Sequence, residues 1–94
     1  MGAHVIDSLL FQDLFGTERM RQIFSDENMV QKWLDVEATL AKVQSEMGII
    51  PKDAAEEIIR KAKVELMDFV EMKKQIEVTG HPIVPLLRCL KDVC

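Results

Sequence analysis

Tyrosine is absent from the 94 residues, tryptophan occurs once and phenylalanine four times. With Val and Ile falling mostly at helical spacing, little remains from which strands could be built. Cysteine occurs only twice, at Cys89 and Cys94. Five residues apart on one helix, the two point about 140° from each other, so they are not expected to bridge. No CxxC pair and no Cys/His spacing suits zinc, so no metal or other cofactor is expected. Two free thiols fit a reducing compartment, and the chain reads as cytoplasmic. No apolar run approaches the ~18 residues of a membrane span, and Met1–Asp13 lacks the basic start of a secretory leader. A basic run is missing too: twelve Lys and Arg are interleaved with sixteen acids, for a net charge of −4. Binding to nucleic acid through phosphate neutralisation is therefore disfavoured. There is no glycine-rich phosphate loop, no Ser/His/Asp set and no pair of catalytic carboxylates.

What is present is apolar and charged in a helical rhythm, 48% and 30% of the chain. A chain this short forms one domain at most and buries only ~60% of its unfolded surface. So many apolar residues in so small a domain point to a surface made for a partner or for further polypeptide. Residues 1–15 read as a loosely ordered arm with one helical turn near Ser8–Leu14, ended by Gly16. Thr17 is placed to cap a short helix over Glu18–Phe24. Ser25, followed by Asp26 and Glu27, opens the clearest element, one long helix over about 26–47. Along it Met29, Trp33, Val36, Leu40, Val43 and Met47 step by 4, 3, 4, 3, 4, the spacing of a packed seam. Val30, Leu34 and Ala41 widen that stripe, and Gly48 ends the helix. Pro51 suits a first helical position, and Ala54, Ala55, Ile58, Ile59 and Ala62 form the apolar face of the next helix. A run over Met67–Val78 turns Phe69, Val70, Met72 (or Lys73) and Ile76 inward. After the break Thr79-Gly80-His81-Pro82 comes a last helix carrying Ile83, Leu86, Leu87, Leu90 and Val93, with Pro85 near its start. The fold class is all-α, one long helix with several shorter ones.

Two places carry polar chemistry. His81 lies between a glycine hinge and a proline that fixes a helix start, beside backbone N–H groups that attract anions. With Thr79 it could present a hydroxyl, an imidazole and amide donors to a carboxylate. A surface histidine in a Thr-Gly turn is the simpler account. Glu37 continues the Val30–Leu34–Ala41 line, so its carboxylate needs a partner, with Arg19, Arg21 or Arg88 as candidates. A pairing that fixes helix register is favoured there over a catalytic acid.

The run Leu14-Phe15-Gly16-Thr17, then Met20-Arg21-Gln22-Ile23-Phe24-Ser25-Asp26-Glu27 and Trp33-Leu34-Asp35-Val36-Glu37-Ala38, resembles the opening of the fumarase/aspartase superfamily. Met47-Gly48-Ile49-Ile50-Pro51 and Thr79-Gly80-His81-Pro82-Ile83-Val84-Pro85-Leu86 follow at matching distances. The likeness covers residues 9–91 and is greatest to the branch holding adenylosuccinate lyases and 3-carboxy-cis,cis-muconate cycloisomerases.

That resemblance implies the N-terminal helical domain, spanning 1–94, of a longer all-α homotetrameric lyase. Such enzymes act on a small dicarboxylate of succinyl type by β-elimination, commonly releasing fumarate, with each active site built from three chains. The adenylosuccinate lyases belong to purine biosynthesis; the cycloisomerases form a lactone. The resemblance makes His81 the proton donor to the leaving group, or an orienting group. Thr79, Gly80 and Pro82 stand beside it in the substrate-binding turn, Gly80 and Pro82 replacing an Arg and an Asp. Leu14-Phe15 stand where adenylosuccinate lyases carry an Arg-Tyr pair that holds the nucleotide. The cycloisomerases, for their part, lack a histidine at the position of His81, so the substrate stays open between the two. The serine loop that bears the family's base has no counterpart in these residues, and the 94 residues alone are expected to be inactive. Two other classes compete. One is a self-contained helical interaction module pairing through the Met29–Met47 seam. The other is a small all-α enzyme of chorismate mutase type, which the lack of converging Arg and Lys side chains disfavours.

Overall fold

The computed structural model describes residues 2–94; the first residue of the expected arm, Met1, lies outside them. Among the described residues there are six α-helices and no strand. They are α1 (Gln12–Phe15), α2 (Glu18–Ile23), α3 (Asp26–Glu46), α4 (Lys52–Lys61), α5 (Phe69–Thr79) and α6 (Ile83–Val93). Single 3-10 turns lie at Val5–Asp7 and Val64–Leu66. The chain divides into two compact units, Met1–Val30 and Gln31–Cys94, with α3 running through the division.

In the first unit the expected turn near Ser8–Leu14 forms later, as α1, and a separate turn forms at Val5–Asp7, where the Asp7 carboxylate accepts from the His4 backbone N–H at 2.9 Å. Arg21 ties α1 to α2. Its guanidinium donates to the Gln12 carbonyl and to the Asp13 carboxylate, each at 3.0 Å. Thr17 caps α2 by accepting from the Met20 N–H at 3.2 Å, and Ser25 accepts from the Asn28 N–H at 3.2 Å at the start of α3. These caps form where the sequence places them because a hydroxyl reaching back to the first turn needs no distant partner.

In the second unit α6 packs against both α4 and α5. Its core consists of Leu34 and Ala41 from α3, Ala55 and Ala62, Met67 and Met72, and Pro85, Leu86, Cys89 and Leu90 from α6. Pro85 is the third residue of α6, where its missing N–H removes no helical bond. Gln31 clamps the start of the α4–α5 connection. Its amide donates to the Ala62 carbonyl at 3.1 Å and accepts from the Val64 N–H at 2.8 Å. Gly48 (φ 76°) and Gly80 (φ 80°) take the left-handed conformation that ends α3 and α5.

The structure corrects the reading of α3. The inward line is Val30–Leu34–Ala41, with Leu34 wholly buried, whereas the expected packed seam faces outward. Val36 is 64% exposed, Leu40 48%, Val43 43% and Met47 69%; only Trp33 is half-buried. Both stripes satisfy helical periodicity, so spacing alone does not choose between them. Smaller shifts follow from the same cause: Ala54, Ile59, Val70, Ile83 and Leu87 point outward rather than in. Pro51 caps α4 from outside with extended backbone instead of opening it.

Candidate functional site

α5 stops at Thr79 because Gly80 leaves the helix at φ 80°, its N–H still donating to the Ile76 carbonyl at 2.8 Å. A Cβ on Gly80 would meet no atom within 4 Å, so the glycine answers to the backbone conformation and not to crowding. Pro82 then caps α6 and is half-buried. Between them His81 is held out from the fold, exposed, with no hydrogen bond to its imidazole among the described residues. The turn is short and braced at both ends, so the imidazole is presented from a fixed backbone.

Thr79 does the bracing. Its hydroxyl lies 3.0 Å from the Gln75 carbonyl and 2.9 Å from the His81 carbonyl, so its single proton is directed to backbone oxygens. The oxygen keeps acceptor capacity only. The anion-attracting end of α6 is also narrower than a helix start usually is. Pro82 and Pro85 carry no N–H, and the Leu86 N–H already donates to the Pro82 carbonyl at 3.0 Å. Ile83 and Val84 are left to supply two amides beside His81 that are free among the described residues. Two adjacent donors equal in number the two oxygens of one carboxylate. Arg88, one turn further along α6, is turned to the Gln75 side-chain oxygen at 3.4 Å.

Thr79, Gly80, His81 and Pro82 are thus together by chain continuity, but they line neither of the grooves described next. Two open grooves on this unit run elsewhere, one along Lys32, Val36 and Leu40, the other between the end of α3 and α4. Glu37 does not meet its expected partners. It is half-buried on α3 with no ion pair among the described residues, Arg21 being engaged by Asp13 and Arg88 by Gln75. The Gln31 clamp was not legible, because a glutamine one turn before Asp35 looks like solvent-facing helix surface. No cluster of His, Cys, Asp and Glu fit to hold a metal ion occurs among the described residues. Nor is any of their helices long and apolar enough to cross a membrane.

No family model matches the chain, and no solved structure matches it. Curated proteins do. The adenylosuccinate lyase of Methanocaldococcus jannaschii is 42% identical over 94 residues, all of this chain and 19% of that protein. Trans-aconitate decarboxylase 1 of Mycosarcoma maydis is 43% identical over 82 residues, 87% of this chain and 17% of that protein. The N-acetyl-S-(2-succino)cysteine lyase of Enterococcus italicus is 40% identical over 91 residues, 97% of this chain and 20% of that protein. The chain belongs to the fumarase/aspartase superfamily of lyases, in which these relatives lie. It spans about a fifth of their length.

Proposed function

We propose that these residues form the N-terminal wall of the active site of a cytoplasmic, homotetrameric lyase that eliminates across a succinyl unit and releases fumarate, as an adenylosuccinate lyase does. The observation that carries this reading is the braced turn at Thr79–Pro82, which holds an exposed imidazole beside two free backbone amides. In that role the amides of Ile83 and Val84 accept a substrate carboxylate. The His81 imidazolium protonates the departing nitrogen or oxygen as its bond to carbon breaks. The proton on the adjacent carbon goes to a base carried by other polypeptide, so the 94 residues alone show no turnover. Two relatives support the succinyl substrate class, since adenylosuccinate and N-acetyl-S-(2-succino)cysteine both carry that unit.

A second reading, a cycloisomerase-type enzyme acting on a small polycarboxylate, is favoured by Leu14 and Phe15. Both side chains are exposed and apolar where a nucleotide phosphate would need polar anchors. A chimera tests both. Replacing the matching segment of the M. jannaschii adenylosuccinate lyase with this chain should keep fumarate release, and His81→Gln in that chimera should lower kcat at least about a hundredfold with assembly unchanged. Full activity of the His81→Gln chimera would overturn the role of this turn. Loss of fumarate release, with lactone formed from 3-carboxy-cis,cis-muconate instead, would select the second reading.

A further inference from the structure

We propose that Thr79 and Pro85 are a matched pair of positioning residues for His81: the Thr79 hydroxyl gives the His81 carbonyl the hydrogen-bond donor that Pro85 lacks. The pairing itself stands on backbone geometry. That it positions a proton donor rests on the reading of His81 given above.

A helical bond from an N–H to the carbonyl four residues back needs the three residues between them in helical conformation. For position 85 and the His81 carbonyl these are Pro82, Ile83 and Val84. Ile83 and Val84 open α6, and Pro82, at φ −89° and ψ −17°, is already in the right-handed helical region. The backbone is therefore laid out for a bond from position 85 to the His81 carbonyl. The next bond along, from the Leu86 N–H to the Pro82 carbonyl at 3.0 Å, is made. A proline at 85 has no N–H to give, and its ring crowds the carbonyl four residues back. Pro82 stands about 25° from ideal helical values in each angle, in keeping with that crowding. Pro85 is wholly buried, which fixes where its ring sits.

No backbone N–H donates to the His81 carbonyl among the described residues, and the Thr79 hydroxyl lies 2.9 Å from it. The other oxygen in reach, the Gln75 carbonyl at 3.0 Å, lies inside α5, where the helical ladder brings it the N–H of Thr79 itself. The single hydroxyl proton is needed at His81 and not at Gln75. The substitution of donor changes what His81 is tied to. An N–H at 85 would hold it to α6 alone. The hydroxyl holds it to the last residue of α5, across the glycine that ends that helix at φ 80°. His81 is then held from both sides of the hinge, by the Thr79 hydroxyl and by the chain into Pro82, and the imidazole keeps one direction.

A double-mutant cycle on the 94-residue chain tests the pair. Thr79→Val should lower the folding equilibrium constant at least about threefold in urea, because the His81 carbonyl loses its donor, and Thr79→Ser should keep most of it. Pro85→Ala supplies an N–H at position 85, and in that background Thr79→Val should cost less than about twofold. Should the buried site not tolerate alanine, Pro85→Val supplies the same N–H with more volume. The amide created at position 85 should be protected from hydrogen exchange, and more so once Thr79→Val removes the competing hydroxyl. In the M. jannaschii chimera, Thr79→Val should lower kcat about tenfold with KM little changed, since the Ile83 and Val84 amides stay in place. Pro85→Ala should not restore that kcat, because an N–H at 85 holds His81 from one side only. Equal costs of Thr79→Val in the two backgrounds would overturn the pairing, and so would fast exchange at position 85 with and without the hydroxyl. A kcat that returns with Pro85→Ala would overturn the positioning role. Full activity of the His81→Gln chimera would sink the reading of His81 instead, with the urea cycle still deciding the pair.

Discussion

Leu86 and Leu87 are adjacent on α6, and the sequence reads both as inward, yet Leu86 is 0% exposed and Leu87 40%. Truncating each to alanine therefore separates burial from composition. Leu86→Ala removes a wholly enclosed side chain from the region where α6 meets α4 and α5, leaving a cavity as well as lost transfer energy. The cost should be about 3 kcal/mol, within the 2–5 kcal/mol range for core leucines. Leu87→Ala trims a side chain that keeps much of its surface in water and leaves no enclosed void, so about 1 kcal/mol is expected. A chain of this size has roughly 5–14 kcal/mol of total stability. The first change should thus remove a large fraction of the whole and the second a small one. Urea unfolding followed by far-ultraviolet circular dichroism measures both, read as a shift in midpoint at constant slope. Thermal melts should agree, with Leu86→Ala lowering Tm by roughly 12–24 °C. Equal losses at the two positions, or a Leu86→Ala loss under about 0.5 kcal/mol, would show that α6 does not pack in the orientation described.

Two further predictions concern the candidate turn and the thiols. Gly80→Ala should cost about 1 kcal/mol with no change in helix content, because an alanine at φ 80° is strained although nothing crowds its Cβ; an unchanged urea midpoint would deny the left-handed cap. Cys94, exposed, should react with a thiol reagent in the folded chain, whereas Cys89, buried with its sulfur 4.0 Å from the Asp68 carbonyl, should react only on unfolding. Burial pushes both thiols above the ordinary cysteine range, so the Cys94 rate should still be rising with pH beyond that range; one labelling rate for both residues would contradict the packing of α6.

What the sequence made legible was local. The ends of α3 follow from Ser25, Asp26, Glu27 and Gly48, each acting within a turn of itself, and α2 from Thr17. The break at Thr79–Pro82 was equally visible, because glycine and proline restrict backbone wherever they stand. Burial was another matter. α3 carries two apolar stripes, one through Trp33, Val36 and Leu40, the other through Val30, Leu34 and Ala41. Periodicity ranks the first higher because it is longer and bulkier. Which stripe turns inward depends on residues distant along the chain, and that is a long-range fact. The same limit applies to Gln31, whose partners Ala62 and Val64 lie some thirty residues away. At the site, sequence could place His81 at a helix start but could not say how many amides remain free beside it. That number depends on the capping bond from Leu86 to Pro82 and on where the Thr79 hydroxyl donates.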